Sequence, residues 1–223
     1  MWPAPGPDPA MLNAFDMIVV QAPGFGDELR DYGYRGAVEI IPYIPPKAND
    51  VRGFSFDRDK LRLGFLGRLV LQKNVAYLID VFDHLVAGRT GVCAPPISWE
   101  LHLFGDGPTK QNLQAAAAER GLTSRIHFHG TVPHHLVGAV IDQCDLFAFS
   151  SVSEGQCLAA LEILSRGRPI VATAVGAFPE FLTTPELGQL GPLDDAAAFA
   201  QTLHEVGSRV QRGDLTPQAV QSR

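Results

Sequence analysis

Ser150-Ser-Val-Ser-Glu-Gly-Gln-Cys-Leu-Ala-Ala-Leu-Glu-Ile-Leu-Ser-Arg-Gly-Arg-Pro-Ile-Val-Ala-Thr173 reads as the end of a strand, a short polar turn, a helix and a second strand. The run before it, Leu146 to Phe149, is apolar and suits a buried strand. Ser153, Glu154 and Gly155 break that run. Gly167 ends the helix, with Arg166 in its last turn and Pro169 just beyond. Pro169 to Val175 is apolar and holds β-branched residues, which suits a second buried strand. The turn at Glu154 to Cys157 then lies where a strand passes to a helix N-terminus. In an open parallel sheet that is the ligand crevice, outside the carboxyl ends of the strands.

Two carboxylates stand out. Glu154 is in the turn, and Glu162 is in the helix, the only charged residue between Gly155 and Ser165. Glu162 lies one helical turn after Leu158 and so shares a face with an apolar neighbour. It reads equally as an ordinary helix glutamate whose head reaches water. Eight residues of helix rise about 12 Å, whereas paired glycosidase carboxyls sit roughly 5 to 9.5 Å apart. The spacing therefore favours two carboxylates holding different parts of one extended ligand.

Upstream, Phe15 to Val20 and Val38 to Pro42 read as strands, with a helix from Gly26 to Tyr34 between them. Pro42-Tyr-Ile-Pro-Pro46 suits a stiff linker. Leu61 to Leu66 is a strand ending in Gly67-Arg68, and Asn74 is placed to cap a helix bearing Leu78, Ile79, Phe82 and Leu85. Arg68 and Lys73 beside that helix start make a cradle for a diphosphate, or else are two solvated surface cations. Ile97 to Phe104 is a strand closed by Gly105-Asp-Gly-Pro108, and a helix follows over 109–120. Lys110 stands where a dinucleotide fingerprint needs its third glycine, which disfavours a nicotinamide or flavin enzyme. Arg125 to Gly130 is a strand, and Thr131-Val-Pro-His-His135 opens a helix. His127 and His129 share a strand face, but no acidic residue or cysteine lies between Ile126 and Asp142, so no metal is expected. Ala177 to Leu182 forms a short helix, Leu187 to Gly191 a strand, and Asp194-Asp195 caps a last helix. The tail over 211–223 is polar and patternless.

The 223 residues carry a net charge of −6, with 46% hydrophobic and 19% charged residues. That allows one generous domain and argues against general nucleic-acid binding. Cys93, Cys144 and Cys157 are scattered and odd in number, which fits a reducing cytoplasm rather than a disulfide framework. No apolar run approaches the length of a membrane span, and Met1 to Pro9 reads as an extended leader without signal-peptide character.

Glu154-Gly155-x6-Glu162, followed by Gly167-Arg-Pro-Ile-Val-Ala-Thr-Ala-Val-Gly-Ala-Phe-Pro-Glu180, resembles the Glu-x7-Glu signature of retaining GT-B glycosyltransferases of group 1. The likeness runs over roughly residues 37 to 210. It implies an α/β fold: a Rossmann-like open parallel sheet of about six strands with helices on both faces, the C-terminal half of a GT-B fold. Residues 1–50 would be a remnant of an N-terminal domain plus linker, 51–210 the nucleotide-sugar-binding domain, and 211–223 a tail. Most of the acceptor domain would lie outside this chain, and with it any peripheral membrane attachment.

The implied substrate is a nucleotide diphosphate sugar, with a saccharide or lipid-linked acceptor and no cofactor or metal. Cations and helix amides suit the diphosphate, and carboxylates suit sugar hydroxyls. The resemblance places Arg68 and Lys73 on the pyrophosphate, beside Gly67 and the amides of Gly155, Gln156, Cys157 and Leu158. Glu162 takes the ribose hydroxyls, Glu154 holds the transferred sugar, and Thr131 and Val132 line the base pocket. Gln156 and Cys157 replace the phenylalanine and glycine common in the signature. A helix N-terminus would lower the Cys157 pKa, which leaves a minor nucleophile reading open. Two other functions remain: a nucleotide-binding or regulatory module of GT-B fold without turnover, and a nucleotide-sugar epimerase.

Overall fold

The computed structural model describes residues 6–42, 60–88 and 97–222. Most of the leader, the linker beyond Pro42 and Cys93 lie outside the described residues. Among those described, the strands are β1 (Met17–Val20), β2 (Ala37–Ile40), β3 (Lys60–Leu66), β4 (Ser98–Phe104), β5 (Ile126–Gly130), β6 (Leu146–Phe149), β7 (Ile170–Thr173) and β8 (Gly188–Gly191). The helices are α1 (Pro9–Leu12), α2 (Pro23–Asp31), α3 (Val75–Val86), α4 (Lys110–Glu119), α5 (Val137–Ile141), α6 (Leu158–Ser165), α7 (Phe178–Phe181), α8 (Ala196–Arg212) and α9 (Pro217–Gln221).

Two sheets form. β1 and β2 pair in parallel as a small sheet, and the other six strands make a parallel sheet in the order β5-β4-β3-β6-β7-β8. The order reverses between β3 and β6. That switch point opens a crevice at the carboxyl ends of those two strands. The expected six-stranded Rossmann-like sheet is therefore the one observed.

The core follows from alternation. On β3 and β4, Leu61, Leu63, Phe65, Trp99, Leu101 and Leu103 share one face and are buried. α3 covers this face through Leu78, Ile79 and Phe82, and packs on α8. α8 comes so close that a Cβ at Gly207 would lie 2.3 Å from the Trp99 ring. The Tyr77 and Phe199 rings meet edge-on there at 6.0 Å. β6 and β7 are buried on both faces, as a continuous apolar run requires.

Three local expectations change. Asn74 does not cap α3 through its side chain; it adopts φ 47°, turning the chain from the 3-10 turn Leu71–Lys73 into the helix. Asparagine tolerates that left-handed geometry better than most residues. The helix after β5 starts as a 3-10 turn at His134–Leu136 and becomes α5 only at Val137. The polar tail is ordered: Thr216 caps α9 by accepting from the Ala219 amide, and Leu215, Pro217 and Val220 are buried. Thr216-Pro217 is the cap and first-turn proline pair that the polar composition hid. Gln221 Nε2 then donates to the Ser165 carbonyl at 3.0 Å, tying α9 to the end of α6. No helix among the described residues is long and apolar enough to cross a membrane.

Candidate functional site

The crevice is built from two loops, residues 67–74 after β3 and residues 150–157 after β6. They are bonded to each other directly. The Ser150 hydroxyl donates to the carbonyls of Lys73 and Asn74 at 3.1 and 3.0 Å. The Val152 amide donates to the Gln72 carbonyl at 3.0 Å, and Gln72 Nε2 donates to the Ser153 carbonyl at 2.9 Å. The sequence pointed to neither serine nor Gln72. The polar pair Ser150-Ser151 directly after a fully buried strand was the available signal, because buried hydroxyls demand partners.

At the centre, Lys73 Nζ meets both oxygens of Glu154, at 2.5 and 2.7 Å. The Ser151 hydroxyl donates to Glu154 Oε1 at 2.6 Å. Only 4% of the Glu154 side chain is exposed, and 17% of Lys73. The two residues, 81 positions apart, are thus brought together as a charge-assisted, buried pair.

Two turns brace the loops from outside. A Cβ on Gly105 would lie 1.8 Å from the Gly67 carbonyl oxygen, and Gly105 holds φ 144°, so only glycine fits this crossing. The Leu69 amide donates to the Asp106 carbonyl at 2.9 Å, and the Thr109 hydroxyl donates to the Leu69 carbonyl at 2.7 Å. Gly105-Asp-Gly-Pro108 is therefore a strut for the Arg68 loop. On the other side Gly176, at φ 56°, packs against the Glu154 carbonyl, where a Cβ would sit 2.3 Å away. The Thr173 hydroxyl donates to the Ser151 carbonyl at 2.6 Å, and the Ala177 amide to the Gly155 carbonyl at 3.3 Å.

The other predicted residues fall around this pair. Arg68 is exposed on its loop, and no hydrogen bond or ion pair holds its guanidinium among the described residues. Gly155 is exposed and Gln156 buried. Cys157 occupies the N-cap position of α6 at φ 51°, and no side chain caps the helix. The Leu158 and Ala159 amides of its first turn bear no hydrogen bond among the described residues, whereas the Ala160 amide donates to the Cys157 carbonyl at 2.9 Å. Glu162 lies half-buried in α6, with no partner for its carboxylate among the described residues. Thr131 and Val132 follow β5, two strands from β3, and no hydrogen bond or ion pair joins them to either loop. Gly130 connects them indirectly: its carbonyl accepts from the Gly105 amide at 2.8 Å.

The expected lowering of the Cys157 pKa is reversed. Burial, helped by the Glu154 carboxylate, pushes this thiol up to about 12, so at neutral pH it is no nucleophile. Cys144 is also free and buried.

The reason given against a metal on β5 also changes. The nearest acid is not in the following segment but on the neighbouring strand: Glu100 of β4 lies with His102 beside His127 and His129. These groups sit upstream of the strand ends that form the crevice. Burial pushes His102 down to about 4, so its imidazole is neutral at physiological pH.

Comparison with known proteins gives the family and the fold. A family model described as Glycosyl transferases group 1 matches residues 60–208. The chain is 31% identical over 147 residues to the 2-deoxystreptamine glucosyltransferase of Streptomyces kanamyceticus, covering 65% of this chain and 35% of that protein. It is 28% identical over 215 residues to the lipopolysaccharide core biosynthesis glycosyltransferase LpsE of Rhizobium meliloti, covering 90% of this chain and 57% of the relative. The chain thus spans between a third and three fifths of the length of these curated relatives. Among solved structures, TarM superposes with a TM-score of 0.79 at 17% identity, over 96% of this chain and 41% of that one. Anabaena HepE, solved with UDP and glucose, gives 0.72 at 18% identity over 95% and 58%. At those identities the likeness establishes the fold.

Proposed function

Since the chain belongs to the group 1 glycosyltransferases, we propose that it is the donor-binding unit of an enzyme that moves a hexose from a nucleotide diphosphate sugar to an acceptor with retention at the anomeric carbon. One observation carries the reading. The Lys73–Glu154 pair stands at the topological switch point, with an uncapped helix start beside it and Glu162 one turn further on. A cation, a row of amides and two carboxylates at that spacing match a diphosphate flanked by two hydroxyl-bearing rings.

In this reading Arg68, Lys73 and the first-turn amides of α6 hold the diphosphate. The ammonium has three donors; two are turned to Glu154, and the third is left for phosphate oxygen. Glu154, positioned by Lys73 and Ser151, accepts from hydroxyls of the transferred sugar. Glu162 accepts from the ribose diol. As the glycosidic bond breaks, negative charge gathers on the leaving diphosphate, and Arg68 and Lys73 stabilise it, Lys73 from a position held by Glu154. Two side-chain cations and a helix start supply this charge, so the proposed transfer calls for no divalent ion. Thr131 and Val132 would meet the base. Two free thiols, Cys144 and Cys157, fit a reducing cytoplasm.

Calorimetric titration of UDP, GDP and ADP into the chain, beside Glu162→Ala, tests the assignment. One diphosphate should bind in the micromolar to millimolar range. Hydrogen bonds to a charged group contribute about 1.5–3 kcal/mol, so the variant should weaken binding about 10- to 150-fold. Binding that ignores the substitution would remove Glu162 from the site. Absence of binding, repeated in a longer chain carrying both domains, would end the donor-site reading.

A further inference from the structure

The half-open face of β4 and β5 carries a second cluster, unrelated to the crevice. β4 and β5 run parallel with His102 opposite His127, and Glu100 lies two residues earlier on β4. A two-residue step keeps a side chain on the same face, so the three groups project together. Their ligand atoms all lie within 4.8 Å of one another. His102 Nε2 is 3.6 Å from Glu100 Oε2, and His127 Nε2 is 3.8 Å from Glu100 Oε1.

We propose that Glu100, His102 and His127 form a binding site for one divalent transition-metal ion of the zinc type. Two imidazoles and a carboxylate are a donor set that such ions take, with further positions left for water. Bonds of about 2.0–2.1 Å at tetrahedral angles put donor atoms roughly 3.3 Å apart. The two contacts to Glu100 already approach that separation, and small rotations of the part-exposed Glu100 and His127 side chains complete it.

A second observation points the same way. His102 Nε2 is buried and has no hydrogen-bond partner among the described residues, yet it faces a carboxylate. Its other nitrogen, Nδ1, is engaged by His129 Nε2 at 3.0 Å. A histidine held at one nitrogen with the other free is the arrangement by which an outer partner fixes a metal-binding imidazole. The His129 ring is itself held by stacking on Phe104, with centroids 4.4 Å apart. Besides the two histidines, the charge that acts on the Glu100 carboxylate is Lys60, whose ammonium lies 2.5 Å from Glu100 Oε1. Lys60 is 32% exposed and can swing into water, so it acts as a resident cation that the metal displaces.

The site lies well back from the strand ends. Glu100 is four residues upstream of Phe104, about 13 Å along the strand, so its occupation should leave diphosphate binding unchanged. An ion here would clamp the edge strand β5 to β4.

The test is calorimetric titration of Zn²⁺ into chelator-treated chain, with Co²⁺ absorption as the report on coordination. One ion per chain should bind with micromolar or tighter affinity. His127→Ala, at a part-exposed position, should weaken it at least 10-fold without changing UDP affinity. Lys60→Ala should tighten it, since the competing ammonium is gone. Failure to bind near one equivalent overturns the proposal, as does wild-type affinity in His127→Ala or weaker binding in Lys60→Ala. His127→Ala circular dichroism matching the wild type excludes a folding defect as the cause of lost binding.

Discussion

Replacing Lys73 by methionine isolates what the buried ion pair does. The Glu154 carboxylate, 4% exposed, takes its charged contacts from Lys73 at 2.5 and 2.7 Å. Without the ammonium it keeps the Ser151 hydroxyl and little water. A carboxylate left charged and unpaired in such a place costs about 3–5 kcal/mol. That stranded charge sets the Lys73→Met loss at roughly 3–5 kcal/mol. Glu154→Gln leaves an ammonium that can reach solvent, and should cost only about 1–2 kcal/mol. The double variant should be no worse than Lys73→Met alone, because no buried charge remains. Urea unfolding of the four proteins at pH 7 measures this. A Lys73→Met loss below about 2 kcal/mol, or additive single losses, would refute the account of a stranded carboxylate.

Two further outcomes follow from single residues. Burial raises Asp145 to about 6, although the Arg62 amide donates to it at 2.8 Å. Between pH 4 and 6 the folded chain holds this proton and the unfolded chain does not, so its contribution to stability falls as pH rises, by about 3 kcal/mol in all. Asp145→Asn should therefore gain on the wild type from pH 4 to pH 7 in urea midpoints, and parallel curves would contradict the shift. Gly176→Ala combines φ 56° with a Cβ 2.3 Å from the Glu154 carbonyl, whereas Gly213→Ala, at φ 79°, meets nothing within 4 Å. The left-handed conformation alone costs about 1–2 kcal/mol. Thermal unfolding should show the Gly176 variant losing clearly more, with weaker diphosphate binding; equal losses would remove Gly176 as a brace.

The strands were legible because their signals are local. Leu146 to Phe149 and Ile170 to Thr173 are short apolar runs between turn residues, and both are buried strands. The crevice was legible as a position, since a polar turn between strand and helix can lie only at a strand's carboxyl end. What escaped depends on contacts distant in sequence. Nothing near Lys73 announces that its partner is Glu154, or that Ser150 bonds back to the Lys73 carbonyl. The charge of Glu100 near His127 was invisible for the same reason: strand pairing, not chain proximity, joins them. Cys157 failed differently. The helix-terminus rule gives one influence on a thiol, but burial and the neighbouring carboxylate oppose it and are stronger.

Glu180 sits at the far end of the chain of contacts that begins at Glu154. It lies in α7, directly after the Gly176-Ala177 turn that supports the crevice loop, and its Oε1 accepts from the Gly24 amide at 2.9 Å. Gly24 belongs to the first turn of α2, which packs on the small sheet. One carboxylate thus latches the small sheet to the large one through a helix start, a contact worth about 0.3–1 kcal/mol at an exposed surface. That is close to thermal energy, so the latch opens and shuts readily, and salt loosens it. The latch hangs from the same turn that props Glu154, so the small sheet and the crevice loop share one support.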